Sequence, residues 1–242
     1  MQAIILAAGC GSRLNSNDHV DIPPKCLVDL HGHTLLQHQI IELHRAGIYQ
    51  ICIVVGYGAK KVMEVAGSCA SLIFNDCWAE TNSLYSLCLC HDWVTEPVIV
   101  MNCDVLAHRE VFHRVVTSPG NAFAFDSTSG MDSEHMKVEL EEGRLKAMSK
   151  QLPIHRTMGE NVGMFRFEIN ALEYLFKEGK ALIQSGGRKM WMAAAVERIA
   201  QYVPIRGIDI AGLPWIEIDF PSDLRAAQEE IWPKICNVPT LP

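Results

Sequence analysis

The chain has 242 residues, of which 49% are hydrophobic and 20% are charged, and its formal net charge is −7 at pH 7. This composition is typical of a globular protein, and the length suits one domain or one domain with a small appendage. The acidic balance argues against a nucleic-acid-binding surface. No apolar run reaches the length of a membrane span, and the N-terminus lacks the basic segment of a signal peptide.

The nine cysteines form no C-x-x-C pair. Several lie within apolar stretches, as Cys52 does in "ICIVV". We therefore predict reduced, mostly buried thiols in a cytoplasmic protein, with a metal or disulfide role as the alternative.

Strands and helices alternate in the first half of the chain. Spaced apolar residues predict a helix from Thr34 that Gly47 stops, and further helices are predicted over 82–91 and 109–116. This alternation is typical of an α/β fold with a mostly parallel sheet and helices on both faces. Ligands of such sheets bind beyond the carboxyl ends of the strands. Short apolar runs predict these strands over 3–8, 51–55, 71–74, 97–102 and 122–125.

The second half changes character. Alternating apolar and polar residues in "MKVELEEGRLKAMS" (136–149) predict an antiparallel hairpin about the "EEG" turn. "VGMFRF" (162–167) is a predicted strand, and a helix is predicted near 170–178. "WIEIDF" (215–220) is a predicted late strand, and a closing amphipathic helix begins at Pro221 or Ser222.

The segment "AIILAAGCGSRL" (3–14) is a strand that runs into a glycine-rich turn and then a cation. A dinucleotide-binding loop would place a glycine where Leu14 stands and an acid after the second strand, where the chain has Gly56. A Walker loop would require a lysine that the segment lacks. The observed string is G-x-G-S-R-L, and Lys25 follows twelve residues after Arg13. The alternative is a structural glycine turn with a surface arginine.

Together with "PPKCLVDLHGHTLLQHQI" (23–40), this string resembles the signature of the sugar-nucleotidyltransferase superfamily. The later "VVGY", "MNCDV" and "WIEIDFPSDLRAA" follow in the order that the superfamily shows, so the resemblance runs from residue 3 to about 230. It implies a mixed, mainly parallel Rossmann-like (GT-A-like) sheet flanked by helices, with an antiparallel hairpin in the second half. It also implies one domain over 1–242, with a nucleotide-binding half (1–125) and an acceptor-binding half (126–232).

"FNDCWAETNSLYSL" (74–87) and the late Glu217-Ile218-Asp219 resemble the cytidylyltransferase branch that activates phosphocholine, aminoethylphosphonate and similar compounds. The resemblance implies transfer of a nucleotidyl group, with CTP favoured, to a small phosphate or phosphonate, and release of pyrophosphate. Arg13 offers a planar fork to phosphate oxygens and Lys25 a compact charge, which makes these two the expected catalytic residues. The expected nucleotide-binding residues are Leu6, Ala7, Ala8, Gly9, Gly11, Ser12, Gly56, Tyr57, Asn82, Ser83 and Asn102.

The reaction also requires a divalent cation, and the resemblance implies Mg²⁺ held by Asp104 and Asp219. These aspartates are 115 residues apart, so only the fold can bring them together; the alternative for each is an ordinary cap. The expected acceptor-binding residues are Lys137, Lys150, Glu160, Trp191 and Glu217.

The acceptor assignments are open in two respects. Lys137 and Lys150 are equally compatible with ordinary exposed strand lysines. A carboxylate from Glu160 or Glu217 and the ring of Trp191 would suit an ammonium group. However, Arg188 and Lys189 beside Trp191 depart from choline-type relatives, which weakens the case for phosphocholine itself.

Three rival functions remain. A sugar-1-phosphate nucleotidyltransferase using UTP, GTP or dTTP is disfavoured by the segment 82–87. A non-catalytic nucleotide-binding regulatory homologue would have lost Arg13, Lys25 or an aspartate. A dinucleotide-dependent oxidoreductase is disfavoured because the third glycine and the acid after the second strand are missing. We expect neither a nucleic-acid nor a membrane partner, and the sequence leaves the oligomeric state open, a homodimer included.

Overall fold

The computed structural model describes residues 1–14, 23–130 and 132–236. The helices in this part of the chain are α1 (Leu35–Arg45), α2 (Ala59–Ala66), α3 (Ser83–Cys88), α4 (Arg109–Thr117), α5 (Ile169–Gln184), α6 (Ala193–Ile199), α7 (Pro221–Ala226) and α8 (Trp232–Cys236). A π-helical turn, Ala227–Ile231, joins α7 to α8, and short 3-10 turns occur at Ser12–Leu14, Lys25–Leu27, Trp78–Glu80 and Ile154–Arg156. None of these helices is both long and apolar enough to cross a lipid bilayer.

The strands in the same residues form one large sheet and two small ones. They are β1 (Gln2–Ala7), β2 (Asp29–Leu30), β3 (His33–Thr34), β4 (Gln50–Val55), β5 (Ser71–Phe74), β6 (Val98–Asn102), β7 (Val105–Ala107), β8 (Asn121–Asp126), β9 (Lys137–Glu141), β10 (Arg144–Ser149), β11 (Gly159–Phe167), β12 (Ile205–Asp209) and β13 (Trp215–Glu217). The large sheet has nine strands in the order β5-β4-β1-β6-β11-β8-β12-β10-β9.

Parallel and antiparallel pairing divide the large sheet. Strands β5, β4, β1 and β6 pair in parallel, and so do β8 and β12. Strand β11 runs antiparallel to both β6 and β8, and β9 and β10 form an antiparallel hairpin. The α/β fold, the mixed sheet and the hairpin are therefore confirmed, and the Rossmann-like parallel arrangement belongs to the first four strands in this order.

Two apolar layers cover the sheet. Successive residues of β1 point to opposite faces, so Ile4 and Leu6 join one layer while Ala3 and Ile5 join the other. Helices α3, α5 and α6 cover the first face, and α1, α2 and α4 cover the second. Burial on both faces explains why β1, β4, β6 and β8 are continuous apolar runs, whereas β5 at the edge of the sheet is only partly buried.

The structure differs from the sequence predictions in several elements. The late strand β13 does not join the large sheet; it pairs with β7 and places Glu217 opposite Val105. Helix α5 extends well beyond the predicted 170–178, and α2 and β12 were not predicted. The sequence does not predict strand β12 because Arg206 and Gly207 interrupt its apolar pattern. Pro221 opens the closing helix, as expected of a proline in the first turn.

Strand β11 makes room for a polar side chain at the carboxyl end of β6. Gly163 has a φ of +77°, and a Cβ atom there would lie 2.7 Å from Nδ2 of Asn102. The pairing of β11 with β8 shifts register between Asn161 and Phe165, on either side of this glycine. Position 163 therefore needs glycine, both for its backbone conformation and for the close contact with Asn102.

We expect Gly163→Ala to lower the free energy of unfolding by more than the ~1–2 kcal/mol that a left-handed backbone alone costs a non-glycine residue. Gly120→Ala is the matched control, because Gly120 has a φ of +70° but a methyl group there would meet no atom of the described residues within 4 Å. Urea denaturation measures both changes. Equal losses would contradict a special role for the contact with Asn102.

Candidate active site

A cavity of about 460 Å³ opens at the carboxyl ends of β1 and β6. The loop after β1, the turn that carries Lys25 and the residues after β6 form one side of it. The segment before α3 and the segment before α6 form the other side. This is the edge at which open α/β sheets bind their ligands.

Lys25 lies at the centre of the charged groups in this cavity. Its Nζ donates to Oδ2 of Asp104 at 2.8 Å and also to Oδ1 of Asp219. Burial would lower the pKa of Lys25, but attraction to the two carboxylates outweighs burial and holds the pKa above its usual value. The lysine is therefore charged, and it joins elements that are far apart in the sequence.

The glycine-rich loop packs directly against this lysine. Gly11 has a φ of +62°, and a Cβ atom there would lie 3.0 Å from Cβ of Lys25. A side chain at this position would push the loop and the lysine apart. The loop therefore needs glycine here both for its backbone conformation and for close contact with Lys25.

A third carboxylate completes an acidic cluster. One oxygen each from Asp104, Glu217 and Asp219 lie within 4.8 Å of one another. Burial, and then repulsion from Asp104 and Asp219, raise the pKa of Glu217 to about 8. Oδ1 of Asp104 is buried and has no hydrogen-bond partner in the part of the chain that the structure describes. Three converging carboxylates with a free buried oxygen fit a hard divalent cation such as Mg²⁺.

A second chain of charges crosses the mouth of the cavity. Arg13 bonds to Asp219 at 2.8 Å, and its guanidinium lies 5.2 Å from the centroid of the Phe220 ring. The Glu134 carboxylate lies 3.3 Å from Arg13 and 3.4 Å from Nζ of Lys150. Lys150 in turn lies over the ring of Trp191, 5.4 Å from its centroid. Glu134 thus connects a cation of the glycine loop to a cation beside an exposed aromatic ring.

Residues 82 and 83 hold the segment that carries Trp191. The backbone N–H of Asn82 donates to the carbonyl of Arg188 at 3.1 Å, and the hydroxyl of Ser83 accepts from the N–H of Met192 at 2.9 Å. Asn82 also caps α3 through its side chain. These bonds join the two segments that form this side of the cavity.

The sequence profile of the MobA-like NTP transferase domain matches residues 3–139, more than half of the chain. The chain belongs to this family. The resemblance to the nucleotidyltransferase superfamily is therefore confirmed.

Known relatives of this NTP transferase domain match at moderate identity. The bifunctional IPC transferase and DIPP synthase of Rubrobacter xylanophilus is 30% identical over 241 residues, which cover 95% of this chain and 51% of that protein. The choline-phosphate cytidylyltransferase of Haemophilus influenzae is 35% identical over 127 residues, 52% of each chain. The chain thus spans about half the length of these curated relatives.

Solved structures show the same fold. The inositol-1-phosphate CTP transferase from T. maritima matches with a TM-score of 0.79, and the match covers 99% of this chain and 98% of that one. At 21% sequence identity, this likeness concerns the fold of the domain alone.

The NTP transferase fold brings most of the predicted site residues to one cavity. They come from the loop after β1, from the segments that begin α3 and α6, and from the ends of β6, β10 and β13. The predicted residues that line the cavity are Leu6, Ala8, Gly9, Gly11, Ser12, Arg13, Lys25, Asn82, Ser83, Asn102, Asp104, Lys150, Trp191, Glu217 and Asp219.

Three residues predicted to bind nucleotide lie beside this cavity rather than in its lining. Ala7 is buried in β1. Gly56 lies beneath Trp78, since a Cβ atom there would be 2.6 Å from Cβ of Trp78. The ring of Tyr57 packs against the ring of that tryptophan, with 5.4 Å between the two ring centroids. Gly56 and Tyr57 therefore both contact Trp78, which itself lines the cavity.

The residues predicted to bind the acceptor separate into two groups. Lys150, Trp191 and Glu217 line the cavity, and Glu217 lies there with the two aspartates, whereas Lys137 and Glu160 are outside its lining. Lys137 is buried rather than an exposed strand lysine, and its Nζ donates to the carbonyl of Lys150 at 2.7 Å. Glu160 is buried in an adjoining cavity of about 450 Å³, where it accepts a hydrogen bond from Ser129.

Several residues that line the cavity are not among those predicted from the sequence. Asn75 is 1% exposed, and its amide donates to Thr81 and Ser86 at 3.0 and 3.1 Å. Its position after the third predicted strand was the signal that could have identified it. The other missed lining residues are Trp78, Thr81, Ser86, Cys103, Glu134, Met136, Asn161, Phe165, Met192 and Ala193.

The raised pKa of Glu217 predicts a dependence of stability on pH in metal-free protein. Its folded-state pKa of about 8 exceeds the ordinary 4.5, so its stabilising contribution is full below about pH 4.5 and is lost as the pH rises through 8. Glu217→Gln stays neutral throughout. We expect the melting temperature of the variant to rise relative to wild type between pH 5 and 9, measured by calorimetry with a chelator. A constant difference would contradict the raised pKa.

Proposed function

We propose that the protein is a Mg²⁺-dependent cytidylyltransferase that transfers CMP from CTP to a small phosphate or phosphonate. An oxygen of the acceptor attacks the α-phosphorus, a new P–O bond forms, and the bond from the α-phosphorus to the bridging oxygen breaks. Pyrophosphate leaves with the electron pair of that bond. The nine free cysteines support a cytoplasmic reaction.

The observation that carries this proposal is the position of Lys25 between Asp104 and Asp219 beside the glycine loop. Two anions must meet in nucleotidyl transfer, so positive charge has to be present where they meet. The carboxylates keep Lys25 charged and fix its Nζ in place before substrate arrives. A preorganised cation is more effective than one that must move during the reaction.

Asp104, Glu217 and Asp219 are the residues that would hold Mg²⁺. The bound ion would supply charge neutralisation on the phosphates. The three carboxylates come from the turn after β6 and from the end of β13 and the residues that follow it. Because Glu217 pairs with Val105 between β13 and β7, the separation of the carboxylates is set by backbone hydrogen bonds.

The loop after β1 is the proposed triphosphate site. Backbone N–H groups from Gly9 to Ser12 can donate to phosphate oxygens, and glycine lets the backbone come close to them. Arg13 is about half exposed, so its guanidinium can exchange Asp219 for a phosphate. The choice of CTP is supported by the relatives whose names describe cytidylyl or CTP transfer.

The acceptor is proposed to bind between Lys150 and the adjoining acidic cavity. Lys150 can receive the acceptor phosphate or phosphonate. The adjoining cavity is lined by carboxylates, among them Asp126, Asp132, Glu134 and Glu160, with His135 as its basic side chain. A negative potential of this kind favours an acceptor that carries an ammonium group, and the ring of Trp191 offers it a cation–π contact.

A screen of pyrophosphate release tests the activity. We expect release only when CTP, Mg²⁺ and an acceptor are all present, and a higher rate with aminoalkyl phosphonates and phosphoamines than with sugar 1-phosphates. UTP, GTP and dTTP serve as nucleotide controls. Faster release with a sugar 1-phosphate would support the rival sugar-activating function instead.

Two substitutions test the assigned roles. We expect Asp104→Asn and Lys25→Met each to lower kcat/KM at least 100-fold, since each removes a charge aimed at the reacting phosphates. Lys146→Met is the control, because Lys146 also pairs with two carboxylates but lies on the hairpin outside the cavity lining. Circular dichroism checks folding. A folded Asp104→Asn or Lys25→Met protein with wild-type kinetics would overturn the role of that residue.

A further inference from the structure

The turn that carries Asp104 is held from below by a buried glutamine. Gln39 lies on α1 and is 0% exposed. Its Nε2 donates to the carbonyl of Asn102 at 3.0 Å and to the carbonyl of Val105 at 2.9 Å. Asn102 is the last residue of β6 and Val105 is the first of β7. One amide nitrogen therefore joins the two ends of the turn.

These two hydrogen bonds link two different sheets. Strand β6 belongs to the nine-stranded sheet, whereas β7 pairs only with β13 within the described residues. The chain changes from one sheet to the other across Cys103 and Asp104. The position of Asp104 thus depends on how β7 is placed relative to β6, and Gln39 bonds to both strands.

The orientation of the Gln39 amide follows from its partners. Both contacts are carbonyl oxygens, which accept only, so the NH₂ group must face them. Oε1 is buried without a hydrogen-bond partner in the described part of the chain. An unpaired buried oxygen is destabilising, so the two hydrogen bonds of the nitrogen have to offset it. An apolar side chain would remove the hydrogen bonds that Gln39 makes to both carbonyls.

The neighbouring helix residue fixes the other end of β7. His38 is 5% exposed, and its Nε2 donates to the carbonyl of Ala107 at 3.0 Å. Burial lowers the pKa of His38, which favours the neutral ring. Strand β7 is thus attached to α1 at both its first and its last residue, and β13 pairs with it on the other side.

We infer that Gln39 is a positioning residue for the acidic cluster: its amide holds the β6–β7 turn so that Asp104 faces Glu217 and Asp219 at the spacing a divalent cation requires. This inference rests on the proposed metal role of these three carboxylates. Groups that orient metal ligands from behind typically contribute 10–100-fold to metal affinity. Gln39 is not among the residues that line the cavity, so it acts through the turn to which it bonds.

Binding of Mn²⁺ to the full chain, followed by electron paramagnetic resonance of the free ion, tests this inference. We expect Gln39→Met to weaken Mn²⁺ binding about tenfold. In steady-state assays the half-saturating Mg²⁺ concentration should rise by a similar factor, while excess Mg²⁺ restores kcat. A purely structural role would lower thermal stability without this rescue. If Gln39→Met does not fold, Gln39→Asn replaces it, because the shorter amide cannot reach both carbonyls.

Gln2→Met is the matched control. Gln2 is also a buried glutamine with backbone partners: its Oε1 accepts from the N–H groups of Thr95 and Glu96 at 2.9 and 3.2 Å. It lies at the start of β1, at the end of the sheet opposite the cavity. We expect the Mn²⁺ affinity of the Gln2→Met protein to stay within about twofold of wild type.

The outcomes separate the inference from the proposed function. Saturable Mn²⁺ binding by wild type that is unchanged in the folded Gln39 variant would overturn the positioning role and leave the proposed activity intact. Absence of saturable Mn²⁺ binding by wild type would overturn the metal role and, with it, this inference. Equal weakening in Gln2→Met would show a general effect of lost stability, which also contradicts a specific role for Gln39.

Discussion

The ion pairs of Lys25 with Asp104 and Asp219 are the interaction on which the site depends. They span 79 and 194 residues of sequence, so they form only when the fold is complete. A buried charge that loses its partner destabilises a protein by about 3–5 kcal/mol. The same pairs hold one cation between two carboxylates. In the proposed reaction, these side chains exchange one another for the phosphates and the cation.

The sheet explains why these groups meet. Strands β1 and β6 pair in parallel, so the glycine loop and Asp104 emerge at the same edge. The small sheet of β7 and β13 then brings Glu217 and Asp219 back to that edge. Helix α1 supports the arrangement from below through His38 and Gln39. The pairing of β13 with β7 thus places Glu217 and the neighbouring Asp104 and Asp219 next to one another.

The sequence predicted most strands of the first half because burial on both faces leaves continuous apolar runs. It also indicated Lys25 and Asp104, because each lies within a motif of fixed spacing. Glu134 could not be foreseen: it lies in a loop without periodicity, and only the fold brings it to Arg13. For Lys137, the alternation along β9 does not reveal that both faces of this strand's beginning are buried.

The position of β12 constrains the order in which the molecule can assemble. This strand is among the last made, yet it lies inside the sheet between β8 and β10. During synthesis on the ribosome, β8 therefore has no neighbour on that side until more than 200 residues have been translated. Contacts between such distant residues give a high contact order and slow folding. A nascent chain of this protein exposes the edge of β8 while residues 127–204 are added, which favours protection by chaperones.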